Sequence, residues 1–424
     1  MTFFSVIVAT KGLQHRPSLR DTLRAIREQT FKDFELITDD SPGNEYIARN
    51  HAARKARGEV LVFIDDDAMP REDCLENAYR YFLDPKVKIL TGVVEGDLWG
   101  HGVWYRISKP YWFIGTCLFV RKKAFFEVGG FEETWGLDRI PRGWRSDTAL
   151  GYEIVERYGP DCYVHAEDVV VVHPKPMQSI WEPEVEARFY RKYRNWVLSY
   201  IAPYDARICQ FIYLNGVEED PLIIKYLASD QKVRYDFIRT NTIPPALDVG
   251  SGEGLAFYGT VFEHVNLDID LYDIDNFVRG DAHSLPFRDR SFNTVVCSEV
   301  VEHVEYPEKV LLEAGRIATR RVIVTIPIEY EWPSEKAPLL TREERMRKNG
   351  FSNVKDMALS FIGSSPRCRE IYDEEKYPHL WHRHFFTYNE AAEILSKVYR
   401  GWKISLSRLE QSKYIWLGAV MDRC

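Results

Sequence analysis

The run Val60–Ile64, VLVFI, stops on three consecutive aspartates, Asp65, Asp66 and Asp67. A short, continuously apolar and β-branched run is the mark of a strand buried on both faces, so it needs helices on each side of its sheet. The flanking sequence provides them. FFSVIVAT and FELIT read as strands, while LRDTLRAIREQ and EYIARNHAARKA read as helices, the first with Leu19, Leu23 and Ile26 on one stripe. KILTGVV, GTCLFV and DVVVVH continue the strand series. Short crossovers predict one mostly parallel sheet with ligands at the carboxyl ends of its strands. The alternation resumes with ALDVGSGEG, HVNLDID, SFNTVVCSEV and RRVIVTIP.

A chain of 424 residues has room for two or three domains at ~150 residues each. The pattern divides it into an α/β domain over 1–180, a helical connector over 181–229 and a second α/β domain over 230–424. Residues 331–380, charged and punctuated by proline, interrupt the second pattern and read as an acceptor lid. The halves share no repeat, which points to fusion rather than duplication. In the connector, Arg188, Arg191, Lys192 and Arg194 make a basic face that is either a solvated helix surface or a peripheral contact with an anionic membrane.

Acidic residues outnumber basic ones, 64 to 56, for a net charge of −8. That argues against nucleic acid as a partner, which calls for a basic face. Seven scattered cysteines without C-x-x-C suggest reduced thiols and a cytoplasmic setting. No apolar run approaches the ~20 residues of a membrane span, and MTFFSVIVATKG reads as a first strand rather than a leader.

Three adjacent carboxylates repel, each pair by ~1 kcal/mol in bulk water and ~4 kcal/mol at an effective dielectric of 20. A cation is therefore expected at a strand end facing a cleft, and hard oxygen ligands suit Mg²⁺ or Mn²⁺. Extended geometry puts Asp65 and Asp67 on one side and Asp66 on the other. The plainer reading is an acidic turn with a helix N-cap at Asp67 or Asp73.

SVIVATKG, FELITDDS, ARNHAARKARGEVLVFIDDDAMP, GTCLFVRKKAFFEVGGFEE and WRSDTALGYEI occur in this order. Together they resemble the GT-A glycosyltransferases of family 2, over most of residues 3–180. The resemblance implies a Rossmann-like mixed sheet and inverting transfer from a nucleotide-sugar donor. It places Thr10 in the nucleotide loop and Asp40 or Asp39 on the nucleobase. Asp65 and Asp67 fall at the metal–diphosphate position with Asp66 nearby, and Asp147 is the general base. His173 becomes a further metal or phosphate contact, unless it is a capped strand-end histidine. The base motif reads RSD where the family more often has RED, which leaves one acid there.

In the second half, Gly250, Gly252 and Gly254 follow a β-branched strand directly, a tight turn whose backbone can approach a ligand. With VNLDID, GDAHSLPF and SFNTVVCSEVVEHV, this segment resembles the class I S-adenosylmethionine-dependent methyltransferases over about residues 243–330. The resemblance implies that Asp248 and the three glycines surround the cofactor's methionine part. Asp268 takes the ribose, Asp281 and Ala282 lie near the adenine, and Glu299 and His303 stand at the catalytic mouth. His303 is a candidate base for a hydroxyl acceptor, or a histidine packing the strand-end loop. A nicotinamide site is the competing reading, but it expects G-x-G-x-x-G, and here the third glycine comes one residue early. His379, His382 and His384 have metal-like spacing. With no cysteine or acidic cluster beside them in sequence, they read as a surface turn or as contacts to the methyl acceptor.

The expectation is a bifunctional transferase that glycosylates a glycan or glycolipid acceptor and methylates a sugar hydroxyl on the same product. Alternatives are methylation of an unrelated lipid or small metabolite, or a non-catalytic scaffold with a degenerate first half.

Overall fold

The computed structural model of the chain describes residues 2–12, 18–97, 104–138, 144–174, 182–229, 231–328, 382–384, 386–411 and 414–424. The segment read as a lid, 331–380, and His379 within it lie outside the described residues. The chain divides into two compact units, Met1–Tyr200 and Ile201–Cys424.

In the first unit the order is β1 (Phe4–Ala9), α1 (Leu19–Arg27), β2 (Phe34–Asp39), α2 (Glu45–Lys55), β3 (Val60–Phe63), β4 (Met69–Pro70), α3 (Cys74–Phe82), β5 (Ile89–Gly96), β6 (Tyr105–Ile107), β7 (Leu118–Arg121), α4 (Lys122–Glu127), α5 (Ser146–Tyr158), β8 (Tyr163–Val172), α6 (Pro183–Lys192) and α7 (Arg194–Tyr200). The sheet runs β2-β1-β3-β7-β5-β8-β4, with β6 beside β5. It is mixed. β1 is parallel to β2 and β3, and β5 to β8, whereas β7 lies antiparallel between β3 and β5. Doubly covered strands are apolar throughout whichever way they run, so the sequence pattern carried no signal for direction. Two successive antiparallel pairings through β7 leave β3, β5 and β8 pointing the same way. The carboxyl ends of β1, β2, β3 and β8 therefore share one edge.

The second unit contains α8 (Ala206–Leu214), α9 (Pro221–Ala228), α10 (Lys232–Asn241), β9 (Ala246–Val249), β10 (His264–Asp268), β11 (Phe277–Arg279), β12 (Phe292–Ser298), α11 (Pro307–Ile317), β13 (Ala318–Pro327), α12 (Tyr388–Val398), β14 (Trp402–Gln411) and β15 (Tyr414–Arg423). Its sheet order is β11-β10-β9-β12-β13-β15-β14, parallel from β11 to β13, with β15 antiparallel to both neighbours. The order reverses at β9, with β10 on one side and β12 on the other. Such a switch point opens a crevice at the carboxyl ends of the strands.

The stretch read as a connector is shared between the units: α6 and α7 belong to the first, α8 and α9 to the second. Val185, Phe189 and Tyr190 of α6 are buried, and Phe189 stacks on Tyr152 of α5. Helix α5 packs closely enough to need a glycine. A Cβ on Gly151 would stand 2.1 Å from Cγ of the buried Phe113. Alanine ordinarily favours a helix interior over glycine by about 0.5–1 kcal/mol. Here Gly151→Ala is expected to destabilise the first unit by about 1–3 kcal/mol, because the overlap outweighs the propensity. A lowered urea midpoint is the readout.

Candidate functional sites

The common edge of the first sheet collects the acids expected there. Asp66 is buried while Asp65 and Asp67 are half-buried; rather than extending the strand they turn, closed by Ala68 N donating to Asp65 O at 3.2 Å. Asp67 Oδ1 lies 3.2 Å from Nε2 of the buried His173, which follows β8. One ligand atom from each of Asp65, Asp67 and His173 falls within 4.8 Å of the others. Two carboxylates and an imidazole make a donor set that suits Mn²⁺ better than all-oxygen Mg²⁺ sites. Asp73 stands at the N-cap of α3, but its side chain makes no capping hydrogen bond.

The cation demanded by the aspartates is supplied in part by the chain. Arg49, 3% exposed, pairs through its guanidinium with Asp65 Oδ1. Its helix α2 is capped by Asn44, whose Oδ1 accepts from the backbone N–H groups of Tyr46 and Ile47. Sequence reading passed over Arg49. Its signal was a charged residue on the buried stripe of Tyr46, Asn50 and Ala53.

Asp147 opens α5. Its Oδ2 accepts from Gly115 N at 2.8 Å and its Oδ1 from Thr148 N at 2.7 Å. Burial pushes this carboxyl above its ordinary value, against the two backbone donors and the positive charges of Arg49 and Arg145. Gly115 cannot be larger: a Cβ there would stand 2.4 Å from Arg49 Nη1 and 3.2 Å from Asp147 Oδ2. Next to it, Thr116 Oγ1 accepts from Asp65 N. The segment GTC thus ties the β3 aspartate to the α5 aspartate. Arg145 precedes α5 in a left-handed conformation, φ 62°, which costs a non-glycine residue energy. The fully buried Glu186 of α6 holds it by an ion pair at 2.9 Å and also accepts from Trp144 Nε1.

At the end of β2, Asp39 is buried and Asp40 exposed. Burial alone would raise Asp39. Hydrogen bonds from Ser41, His51 and Lys55 instead hold it far below the usual carboxylate range. Asp40 is thus the acid with its face to solvent. Thr10 accepts from Gly12 N and donates its own N–H to Asp39 O, which closes the loop after β1. Of the basic connector residues, Arg188 donates to Trp135 O and Lys192 pairs with Glu153.

In the second unit a cavity of about 400 Å³ opens at the switch point. Asp248 of β9 and Gly250 and Gly252 of the loop after it line the cavity, and Ser298 at the end of β12 and Glu299 just past it add to the lining. Gly250 has φ 70°, and a Cβ there would lie 2.5 Å from Val300 Cγ2. Gly252 N donates to Asp268 Oδ2 at 3.0 Å, and Gly254 packs beside Ile274. Asp281 accepts from the backbone and ring of His283. Asp268, Asp281, Ala282 and His303 are not among the residues lining the cavity, and neither is Gly254. The cavity instead takes Lys225, Arg234 and Tyr235 from α9 and α10, outside the motif that sequence reading used. Arg234 is buried and donates to Ser298 Oγ and Gln231 Oε1.

Two family models match the chain. The model of glycosyl transferase family 2 covers residues 42–134, and a methyltransferase domain model covers 247–325. The N-terminal half is a family-2 glycosyltransferase domain and the C-terminal half a methyltransferase domain, so the chain is an enzyme that carries both. No curated protein matches the sequence. Among solved structures, the chain is similar to Staphylococcus aureus TarS 1–349, at 15% identity and TM-score 0.36, over 56% of this chain and 86% of that one. A mannosyltransferase from Pyrobaculum calidifontis in complex with GDP-Man and Mn²⁺ shows 16% identity and TM-score 0.32, over 57% and 76%. A SAM-dependent methyltransferase from Thermotoga maritima shows 17% identity and TM-score 0.28, over 57% and all of that chain.

Burial pushes Asp248 up from 3.8 to about 7, with Arg234 opposing and the like charge of Asp268 adding. Because folding raises this pKa, the folded chain holds the proton between those values. The resulting stability is complete below the unfolded value and is lost as pH rises through about 7, by at most ~4 kcal/mol. The second unit should therefore melt at a lower temperature at about pH 8 than at about pH 5, and Asp248→Asn should flatten that difference.

Proposed function

We propose that the first unit transfers a sugar with inversion from a nucleotide-sugar donor to a glycan or glycolipid acceptor, in cell-surface polysaccharide or glycoconjugate biosynthesis. The second unit then uses S-adenosylmethionine to methylate a sugar hydroxyl on the same product. The observation that carries the first half is the joined set of Asp65, Asp67, His173, Arg49 and Asp147. Asp65, Asp67 and His173 would hold Mn²⁺ or Mg²⁺, and the ion would supply the positive charge that offsets a departing diphosphate. Thr10, Asp40 and Asp39 line the nucleoside side, and the buried Asp66 supports the turn between the metal ligands. Asp147 takes the proton from the acceptor hydroxyl as it attacks the anomeric carbon. Burial raises its pKa and so strengthens it as a base, while the charges of Arg49 and Arg145 oppose that rise.

For the second half, the cavity at the switch point suits a cofactor with a cationic amino-acid end and a ribose. Asp248 would hold the ammonium and Arg234 the carboxylate, the Gly250–Gly254 loop would leave room for the chain, and Asp268 would bind the ribose hydroxyls. Asp281 and Ala282 stand toward the adenine, and Glu299 and His303 toward the acceptor. Coupling the two reactions on one chain raises the effective concentration of the glycosylated product at the second site. The setting is cytoplasmic, with the basic face of Arg188, Arg191, Lys192 and Arg194 toward an anionic membrane surface.

Asp147→Asn should lower kcat for sugar transfer by about 10²–10⁴ with little change in KM for the donor. Asp67→Asn should instead weaken Mn²⁺ dependence and donor binding together. Equal turnover of Asp147→Asn and wild type in a nucleotide-release assay would refute the base assignment. In wild type, the acid limb of kcat/KM should fall at higher pH than an exposed carboxylate would give, because burial raises the Asp147 pKa.

A further inference from the structure

The segment SEVVEHV begins at the last residue of β12, and only Glu299 of its two acids lines the cofactor cavity. The second acid, Glu302, is fully buried. Its oxygens stand against two imidazoles. His303 Nε2 lies 3.8 Å from Glu302 Oε1, and the rings of His303 and His382 meet edge to face with centroids 4.6 Å apart. One ligand atom from each of Glu302, His303 and His382 lies within 4.8 Å of the others. We propose that Glu302, His303 and His382 form a divalent metal site, separate from the one in the first unit, that takes Mn²⁺ or Zn²⁺ and binds the methyl acceptor through oxygen.

The juxtaposition is built by backbone bonds rather than left to the side chains. The carbonyl of Glu302 accepts from Arg383 N at 2.7 Å and from His384 N at 3.0 Å, and His384 Nε2 bonds to Val304 O at 3.0 Å. These three contacts clip residues 382–384 across the turn after β12, 79 or more residues away in sequence. They hold His382 over Glu302 while His384 turns away to the backbone. Two imidazoles and one carboxylate are the donor set of three-ligand metal sites that keep an open position for water or substrate. Two ligand atoms on one tetrahedral ion at ~2.0–2.2 Å stand about 3.4 Å apart, so the 4.8 Å bound allows for closure of up to about 1.4 Å when the ion binds. His303 and His382 are only partly buried.

This inference rests on the reading of the second unit as a hydroxyl methyltransferase and changes the part played by His303. As a ligand, His303 is not the base. The metal lowers the pKa of the acceptor hydroxyl, whose proton passes to solvent. The oxygen forms a bond to the methyl carbon while the S–CH₃ bond breaks, and the sulfonium sulfur keeps the electron pair as a neutral thioether. Sugars with neighbouring hydroxyls, able to offer two oxygens to one ion, are the acceptor class that such a site favours.

The test is Mn²⁺ titration followed by electron paramagnetic resonance, in a chain carrying Asp65→Asn and Asp67→Asn so that the first site is removed. One bound equivalent is expected. Adding His382→Asn or Glu302→Gln should weaken it at least tenfold, while calorimetric binding of S-adenosylmethionine and the melting curve stay unchanged. If the double variant binds neither Mn²⁺ nor Zn²⁺ yet still binds S-adenosylmethionine, the metal site is refuted and the methyltransferase reading stands. Loss of S-adenosylmethionine binding in the wild-type chain would refute that reading instead. Undiminished Mn²⁺ affinity in both added variants would also overturn the site.

Discussion

The first unit depends on gathering negative charge at one edge of its sheet, where it is only partly hydrated. Asp65, Asp66, Asp67 and Asp147 converge there, and at low effective dielectric their mutual repulsion amounts to several kcal/mol. One buried guanidinium, Arg49, answers part of it by pairing with Asp65 and by lying beside Asp147. Removing a partner from such a set leaves a buried charge uncompensated, which costs far more than the pair itself contributes. The helix cap at Asn44, the bare backbone at Gly115 and the Glu186–Arg145 pair all serve to keep that charge arrangement in place.

The two units solve related problems with the same edge. In each, strands that point one way deliver their terminal residues to a single crevice, and glycines leave space where backbone must come close. They differ in how charge is handled. The first edge gathers acids around an arginine and a histidine. The cavity of the second pairs one raised acid, Asp248, with one buried base, Arg234, which fits a ligand bearing both signs.

The helices outside the recognisable motifs contribute more than linkage. Glu186 comes from α6 and steers the residue before Asp147, while Arg234 and Tyr235 come from α10 and close the cofactor cavity. Neither contribution is visible in the spacing of the motif residues, since each is made by a segment that reaches the site through packing.

Local chemistry made much of this legible in sequence. Apolar runs ending on Asp65 or Asp248, glycines directly after a strand and amphipathic helices between them mark α/β units and the edge that carries the ligands, because strand period and turn requirements act over a few residues. Two motif series of different kinds marked two transferase halves. What only the tertiary structure decided was direction and company. β7 runs antiparallel inside a sheet that its apolar pattern left undirected. Arg49 meets Asp65, Glu186 meets Arg145, and His382 meets Glu302 across 80 residues. Those pairings come from long-range packing of buried charge, and a one-dimensional pattern holds no record of which distant residue will stand beside it.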